Sequence, residues 1–166
     1  MFRTFTRQLW AGVMRLVIRV KNNMTAEELW KKSGLTGNYD AWAFGDDADR
    51  LAELVKKGIK TATSSLLCFY ELEGEELPGT GQYNIILDSQ NQAVCIIRTK
   101  KVYATTFDKI SENHAYKEGE GDRTLEYWKS VHRDFFTKEL KTIGKHFSTN
   151  LEIVCEEFEV VKCSEN

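Results

Sequence analysis

Hydrophobic positions along this chain switch between a helical and an extended period, and the switches mark its elements. Ala48, Leu51, Ala52 and Val55 recur at i, i+3, i+4 and i+7, which predicts an amphipathic helix over 47–57. Asp46 or Asp47 supplies its cap, Lys56 and Lys57 its positive last turn, and Gly58 its left-handed stop. A shorter helix over 26–33 opens on a capping box, Thr25 with Glu28, and ends at Gly34. From Thr61 to Tyr70 the chain reads as strand. Tyr83–Asp88 and Ala93–Thr99 are apolar runs joined by Ser89-Gln90-Asn91-Gln92, which predicts a hairpin, and Lys101–Phe107 continues it in extended form. Leu125, Trp128, Val131, His132, Phe135, Phe136, Leu140 and Ile143 trace a long helical stripe, with Asp122 as its cap and Gly144 as its stop. Leu151–Val161 alternates acidic and apolar residues and closes the chain as a strand. Strands in the centre and at the end, with helices around them, predict an α+β fold: a mixed sheet or small barrel packed by helices.

Composition narrows this picture. A chain of 166 residues with one proline and no Gly- or Ser-rich linker reads as one domain. A net charge of -2 excludes a protein that coats nucleic acid by bulk electrostatics, although a local basic cleft stays open. Cys68, Cys95, Cys155 and Cys163 have no C-x-x-C spacing and sit in or beside apolar runs. They read as reduced, buried thiols of a cytoplasmic protein, and not as a disulfide frame or a zinc site. Residues 1–23 carry five basic and no acidic side chains. Arg15 and Arg19 break any secretory core, and the segment is too interrupted for the roughly 20 apolar residues of a membrane span. A transit peptide fits it; so does an extension upstream of a true start at Met24, which is the reading favoured here, with a single domain over 24–166.

The candidate chemistry lies in two segments. Lys60 and Thr63 follow the helix stop in Gly58-Ile-Lys-Thr-Ala-Thr63. A lysine held in a partly apolar pocket has a depressed pKa and can act as a base or activate a neighbouring hydroxyl. On a regular strand Lys60 and Thr63 would face opposite ways, so a shared site requires residues 60–63 to be turn-like. The second segment, His114-Ala-Tyr-Lys-Glu118-Gly-Glu120-Gly-Asp122-Arg123, reads as an exposed acidic loop before the long helix. It lacks the glycine and final glutamate of a calcium loop; Mg²⁺ or Mn²⁺ at Glu118 and Glu120 is the one cofactor the carboxylates leave open. His132 reads as a core histidine on the helical stripe. Histidines at metal-ligand spacing, a Walker loop and a nucleophile elbow are all missing from the sequence.

The order of motifs resembles the ASCH domain family. The carriers are Tyr39-Asp-Ala-Trp42-Ala-Phe44-Gly45-Asp46, the helix before Gly58-Ile-Lys60-Thr-Ala-Thr63, Leu77-Pro78 with Gly81, Phe107-Asp108, His114-Ala115, and Glu118-Gly-Glu-Gly-Asp-Arg-Thr-Leu-Glu-Tyr127-Trp128. The resemblance implies a PUA-like fold, a small mixed β-barrel flanked by helices, with a cleft lined by the Gly-x-Lys segment and binding RNA or a modified nucleoside. One bacterial branch with this motif order hydrolyses the acetyl amide of N4-acetylcytidine, and others are linked to ribonuclease activity. By that likeness Lys60, Thr63 and Glu118 form the catalytic set: Lys60 deprotonates Thr63 or a water, and Glu118 assists the leaving amine. Tyr39, Trp42, Arg123 and Tyr127 are the candidate substrate contacts, for stacking on a base or for phosphate. This chain departs from the branch in its long Trp128-bearing helix and in Ser64 and Ser65 after the threonine. A non-catalytic RNA-binding module and a protein-interaction module are the alternatives, and a homodimer is left open.

Overall fold

The computed structural model describes residues 24–165; the reading of residues 1–23 as an extension lies outside them. The elements run α1 (Ala26–Ser33), β1 (Tyr39–Ala43), α2 (Ala48–Lys56), β2 (Ala62–Leu66), α3 (Leu67–Glu73), β3 (Tyr83–Leu87), β4 (Ala93–Thr106), α4 (Glu112–Glu118), α5 (Leu125–Thr142) and β5 (Glu152–Cys163). The five strands form one sheet in the order β1-β3-β4-β5-β2, a half-barrel with β1 and β2 at its edges. The β1–β3 pair is parallel; the other pairs are antiparallel. The fold is therefore α+β, as the hydrophobic pattern predicts.

Both faces of the sheet are covered. Ala52 and Val55 of α2 pack on Ile86, Cys95, Ile97 and Phe158. On the opposite face, Leu29 of α1 meets Ile85 and Ile96, while Trp128, Phe136 and Leu140 of α5 meet Leu66, Phe107, Ile153 and Cys155. These are the stripe residues of the two predicted amphipathic helices, so the 3.6-residue period translates directly into contact.

Local signals hold where capping chemistry is explicit. Thr25 Oγ1 accepts from Glu28 N at 3.2 Å and Glu28 Oε2 accepts from Thr25 N at 2.8 Å, completing the capping box. Gly58 takes φ 67° and ends α2.

Four expectations are corrected. The run from Thr61 is strand only to Leu66; Leu67–Glu73 is helix, because Cys68 and Phe69 pack on the α5 core and Gly74 at φ 68° closes the turn. Asp122 does not cap α5: Thr124 does, its Oγ1 accepting from Tyr127 N at 3.1 Å, while Asp122 Oδ1 accepts from Thr124 N at 2.9 Å. At α2, Asp47 holds the cap position in a left-handed conformation but bonds Arg50 Nε at 2.6 Å instead of the helix amides. Finally, the β4–β5 register sets Cys95 opposite Cys163, and they form a disulfide, leaving Cys68 and Cys155 free. A pair of cysteines 68 positions apart carries no local sequence signal of its partner.

Phe136 is fully buried between Phe107 and Phe135. Phe136→Ala is expected to lower the free energy of unfolding by about 3–5 kcal/mol. Urea denaturation monitored by circular dichroism checks this; a change under about 1 kcal/mol would mean that α5 is not the lid of this core.

Candidate functional site: a buried charge cluster at the floor of a cleft

A cleft of about 1040 Å³ opens between the β1 end, the β2 edge and α5. Trp42 and Phe44 form one side, Val131, His132 and Phe135 of α5 another, and Lys60, Thr63, Ser64, Glu118 and Glu120 its floor. Gly45 lets β1 close against α5: a Cβ there would lie 3.2 Å from the Phe135 ring.

Lys60 reaches this floor because α2 ends in a fixed geometry. Ile59 N and Lys60 N both donate to Leu54 O, at 2.9 and 3.1 Å, so the chain turns sharply after Gly58. Thr61 N then donates to Lys117 O at 2.7 Å, tying the segment to the end of α4. Helix α4 itself was not foreseen, and its Ser111 cap, accepting from His114 N at 3.1 Å, is the signal that marks it. Glu118 is thus the last residue of a helix and not part of an exposed loop. Gly119 follows at φ 75°, with its backbone so close to Ile59 that a Cβ would sit 2.6 Å from Ile59 O.

Lys60 and Glu118 are each 1% exposed, and Lys60 Nζ donates to Glu118 Oε2 at 2.7 Å. Glu120 Oε1 takes a second Nζ hydrogen at 3.0 Å, and Glu118 O lies 3.5 Å away. Glu118 Oε1 accepts from Ser64 Oγ at 2.7 Å and from Trp128 Nε1 at 3.0 Å. His114 Nε2 is 2.9 Å from Ser64 Oγ, and its Nδ1 is 3.2 Å from Tyr103 OH. Burial disfavours charge on Lys60, but Glu118 and Glu120 outweigh it, and its pKa is raised. This corrects the expectation of a depressed lysine: the pocket is not apolar at the ammonium. Burial likewise opposes ionisation of Glu118, yet Lys60 and the two histidines hold it well below the usual carboxylate range. His114, pulled down by burial, is pushed up to about 9 by its hydrogen bonds to Cys155 and Glu118 and by the Glu118 charge. His132 goes the other way, lowered mainly by burial. Its Nδ1 donates to Trp128 O at 3.0 Å and its ring stacks on Trp128 with centroids 4.0 Å apart. Lys60 and His114 therefore face two carboxylates, Glu118 and Glu120, and Arg50 Nη2 joins from outside at 3.5 Å from Glu120 Oε2.

Glu118, Glu120 and His132 offer donor atoms within 4.8 Å of one another. The Lys60 ammonium bonds both of these carboxylates, which are thereby held in an internal salt bridge.

Lys60 and Glu118 are brought together as the sequence suggests. Thr63 also reaches the cleft, but strand β2 starts at Ala62, and alternation sends its side chain toward Glu156, its register partner. Ser64, paired with Cys155, is the hydroxyl on Glu118. Of the four candidate contacts only Trp42 lines this cleft. Tyr39 packs on Trp30 at 4.8 Å between centroids; Tyr127 lies against Gly121, where a Cβ would meet the ring at 2.3 Å. Arg123 stacks on Tyr116 at 3.6 Å in a separate hollow. Sequence reasoning missed Ser64, His114 and Trp128. Strand parity from Ala62 is the signal for Ser64.

The family model of the ASCH domain matches residues 40–162, and the chain belongs to that family, with its PUA-like fold. It is similar to the ASCH domain of Lactobacillus crispatus JV V101, at 28% identity and TM-score 0.78 over 85% of this chain and 98% of that one. It is also similar to protein EF3133 from Enterococcus faecalis V583, at 42% identity and TM-score 0.73 over 81% of this chain and 83% of that one. No curated protein matches the chain significantly. Among the described residues no helix is long and apolar enough to cross a membrane.

The folded pKa of His114 lies above its ordinary 6.5, so its stabilisation is complete below about pH 6.5 and is lost as pH rises through about 9. Against His114→Gln, the protein is expected to lose on the order of 3 kcal/mol across that window, read by denaturant melts at stepped pH. Parallel pH profiles for the two proteins would contradict a charged His114. Gly119→Ala is expected to cost roughly 2 kcal/mol or more, from the left-handed backbone and the Ile59 contact together, as a lowered midpoint in the same assay.

Proposed function

We propose that the cleft takes a nucleoside, or a base of a short RNA, and hydrolyses an acyl amide on its exocyclic nitrogen, as in N4-acetylcytidine. The observation that carries this reading is the Lys60–Glu118 pair, 1% exposed on both sides yet forming the floor of an open cleft. Buried ion pairs contribute little net stability compared with apolar packing, so their presence at a cleft points to chemistry. Membership of the ASCH family and the resemblance in the Lys60, Thr63 and Glu118 positions support the same reading.

Amide hydrolysis needs a donor to the acyl oxygen, a hydroxyl nucleophile and a proton for the departing nitrogen. Lys60, charged in the free protein, suits the first role better than that of a base, provided the hydrogen now given to Glu120 turns to the acyl oxygen when substrate binds. A water held in the cleft beside Thr63 supplies the oxygen that bonds the acyl carbon. Its proton passes to the Glu118–Glu120 carboxylate pair and on to the nitrogen as the C–N bond breaks. Ser64 fixes Glu118 for this transfer through its 2.7 Å bond. Trp42 and Phe44 offer aromatic surface to the base. Asp40, Asp46, Glu75, Glu76 and Glu139 also line the cleft, and their carboxylates select against long phosphate backbones.

A binding-only RNA module is the second reading. In its favour, Lys60 directs its ammonium hydrogens to Glu118 and Glu120, away from any incoming group.

Purified protein is expected to release acetate and cytidine from N4-acetylcytidine, followed by chromatography. Thr63→Val and Glu118→Gln should reduce turnover by about 100-fold or more while the far-ultraviolet spectrum is unchanged, and Lys60→Ala should abolish it. Binding without turnover of the nucleoside or of a short RNA would select the second reading. Neither binding nor turnover would overturn both.

A further inference from the structure

The cleft lining carries a second polar set, Asn84 on β3 and Glu156 on β5, the latter held from behind by Thr99 on β4. Asn84 is only 5% exposed, and its Oδ1 accepts from Trp42 Nε1 at 3.0 Å. An indole N–H can only donate, so the amide orientation is fixed: the oxygen is used, and the Nδ2 hydrogens of this cleft-lining residue have no acceptor among the described residues. Glu156, 6% exposed, also lines the cleft; its Oε1 accepts from the Thr99 hydroxyl, and no described cation pairs with it. Burial raises its pKa, against a smaller opposing effect of the Thr99 bond. The Thr99 donation also sets polarity. It occupies Oε1 as an acceptor and leaves Oε2, which has no protein partner among the described residues, as the oxygen that would carry a proton toward a ligand.

The register places these groups on one face. Asn84 pairs with Ile97, two positions before Thr99 on β4, and Glu156 and Phe158 share that face on β5. Ile86, Ile97 and Phe158 share that face but are covered by α2, so the core ends where Asn84 and Glu156 reach the cleft. Both residues are nearly buried, and their unpartnered atoms open on the cleft, where a ligand's polar edge can take up the unused capacity.

We infer that Asn84 and Glu156 form the base-reading subsite of this cleft, selecting a cytosine-type pyrimidine edge: carbonyl oxygen, unprotonated ring nitrogen and exocyclic N–H in a row. This rests on the nucleoside reading above and adds the groups that choose among bases. Asn84 Nδ2–H donates to the base carbonyl, Glu156 Oε2–H donates to the ring nitrogen, and Oε1 accepts from the exocyclic N–H, which an N4-acyl cytosine retains. Uracil presents an N–H at the middle position, donor against donor. Thr99 is a positioning residue, acting on the ligand only through the Glu156 proton.

The test is calorimetric binding of cytidine, N4-acetylcytidine and uridine to the full chain and to Asn84→Ala, Glu156→Gln, Glu156→Ala and Thr99→Val. The wild type is expected to bind both cytidines at least tenfold tighter than uridine. Asn84→Ala and Glu156→Ala should weaken cytidine tenfold or more and erase the preference. Glu156→Gln, whose amide supplies one donor and one acceptor in the same volume, should keep it, and Thr99→Val should erode it without altering the melting temperature. A wild type with no base preference, or variants that keep the wild-type preference, would overturn this assignment while leaving the nucleoside reading in place. A wild type that binds none of the three removes both.

Discussion

The rest of the site depends on one contact, the 2.7 Å bond between Lys60 and Glu118 in surroundings that solvent barely reaches. Such a pair is tolerable only when every remaining donor and acceptor is satisfied. The neighbouring sequence can be understood as meeting that requirement. Gly58 aims Lys60 inward, Gly119 brings the end of α4 against Ile59, and Ser64 and Trp128 fill the second oxygen of Glu118. His114 and Glu120 complete the charge balance. Removing Lys60 or Glu118 leaves the other as a buried charge without its partner, an imbalance whose cost is typically about 3–5 kcal/mol.

This arrangement separates the cleft into two kinds of wall. One side holds fixed, mutually paired charges, close to hydroxyls and to His132, whose pKa burial lowers. The other holds Asn84 and Glu156 beside the aromatic rings of Trp42 and Phe44, with hydrogen-bonding capacity that the protein leaves unused. A polyanion finds little to hold it here, since the one lysine in the lining is already neutralised. A flat, uncharged ring with a patterned edge meets both walls on favourable terms.

Much of the fold was legible because its elements follow local periodicity. The α2 and α5 stripes, the β3–β4 hairpin and the Thr25 capping box each carry their signal within a dozen residues. What stayed hidden depends on distant partners. Strand β1 shows no clean alternation, being an edge strand whose Tyr39 packs on Trp30, and α4 is a short helix stabilised by burial of His114, Ala115 and Glu118. At the site, Lys60 and Glu118 were recoverable from motif order. Their charge states were not, because the sign of the Lys60 shift depends on two carboxylates 58 and 60 positions away. Tyr127 and Arg123 looked available as isolated residue types, but contacts with Gly121 and Tyr116 commit them elsewhere.

Strand β2 contributes hydroxyls to both sides of the sheet edge, Thr63 toward Glu156 and Ser64 toward Glu118. The five residues from Gly58 to Ala62 therefore act as a spacer of fixed count. Lengthening or shortening that spacer by one would invert the strand, delivering threonine to the charge cluster and serine to the sheet wall, without changing a single residue type in the cleft. Composition at this position is thus more forgiving than length, and divergence among relatives should be sought in substitutions along β2, with insertions kept out of the turn before it.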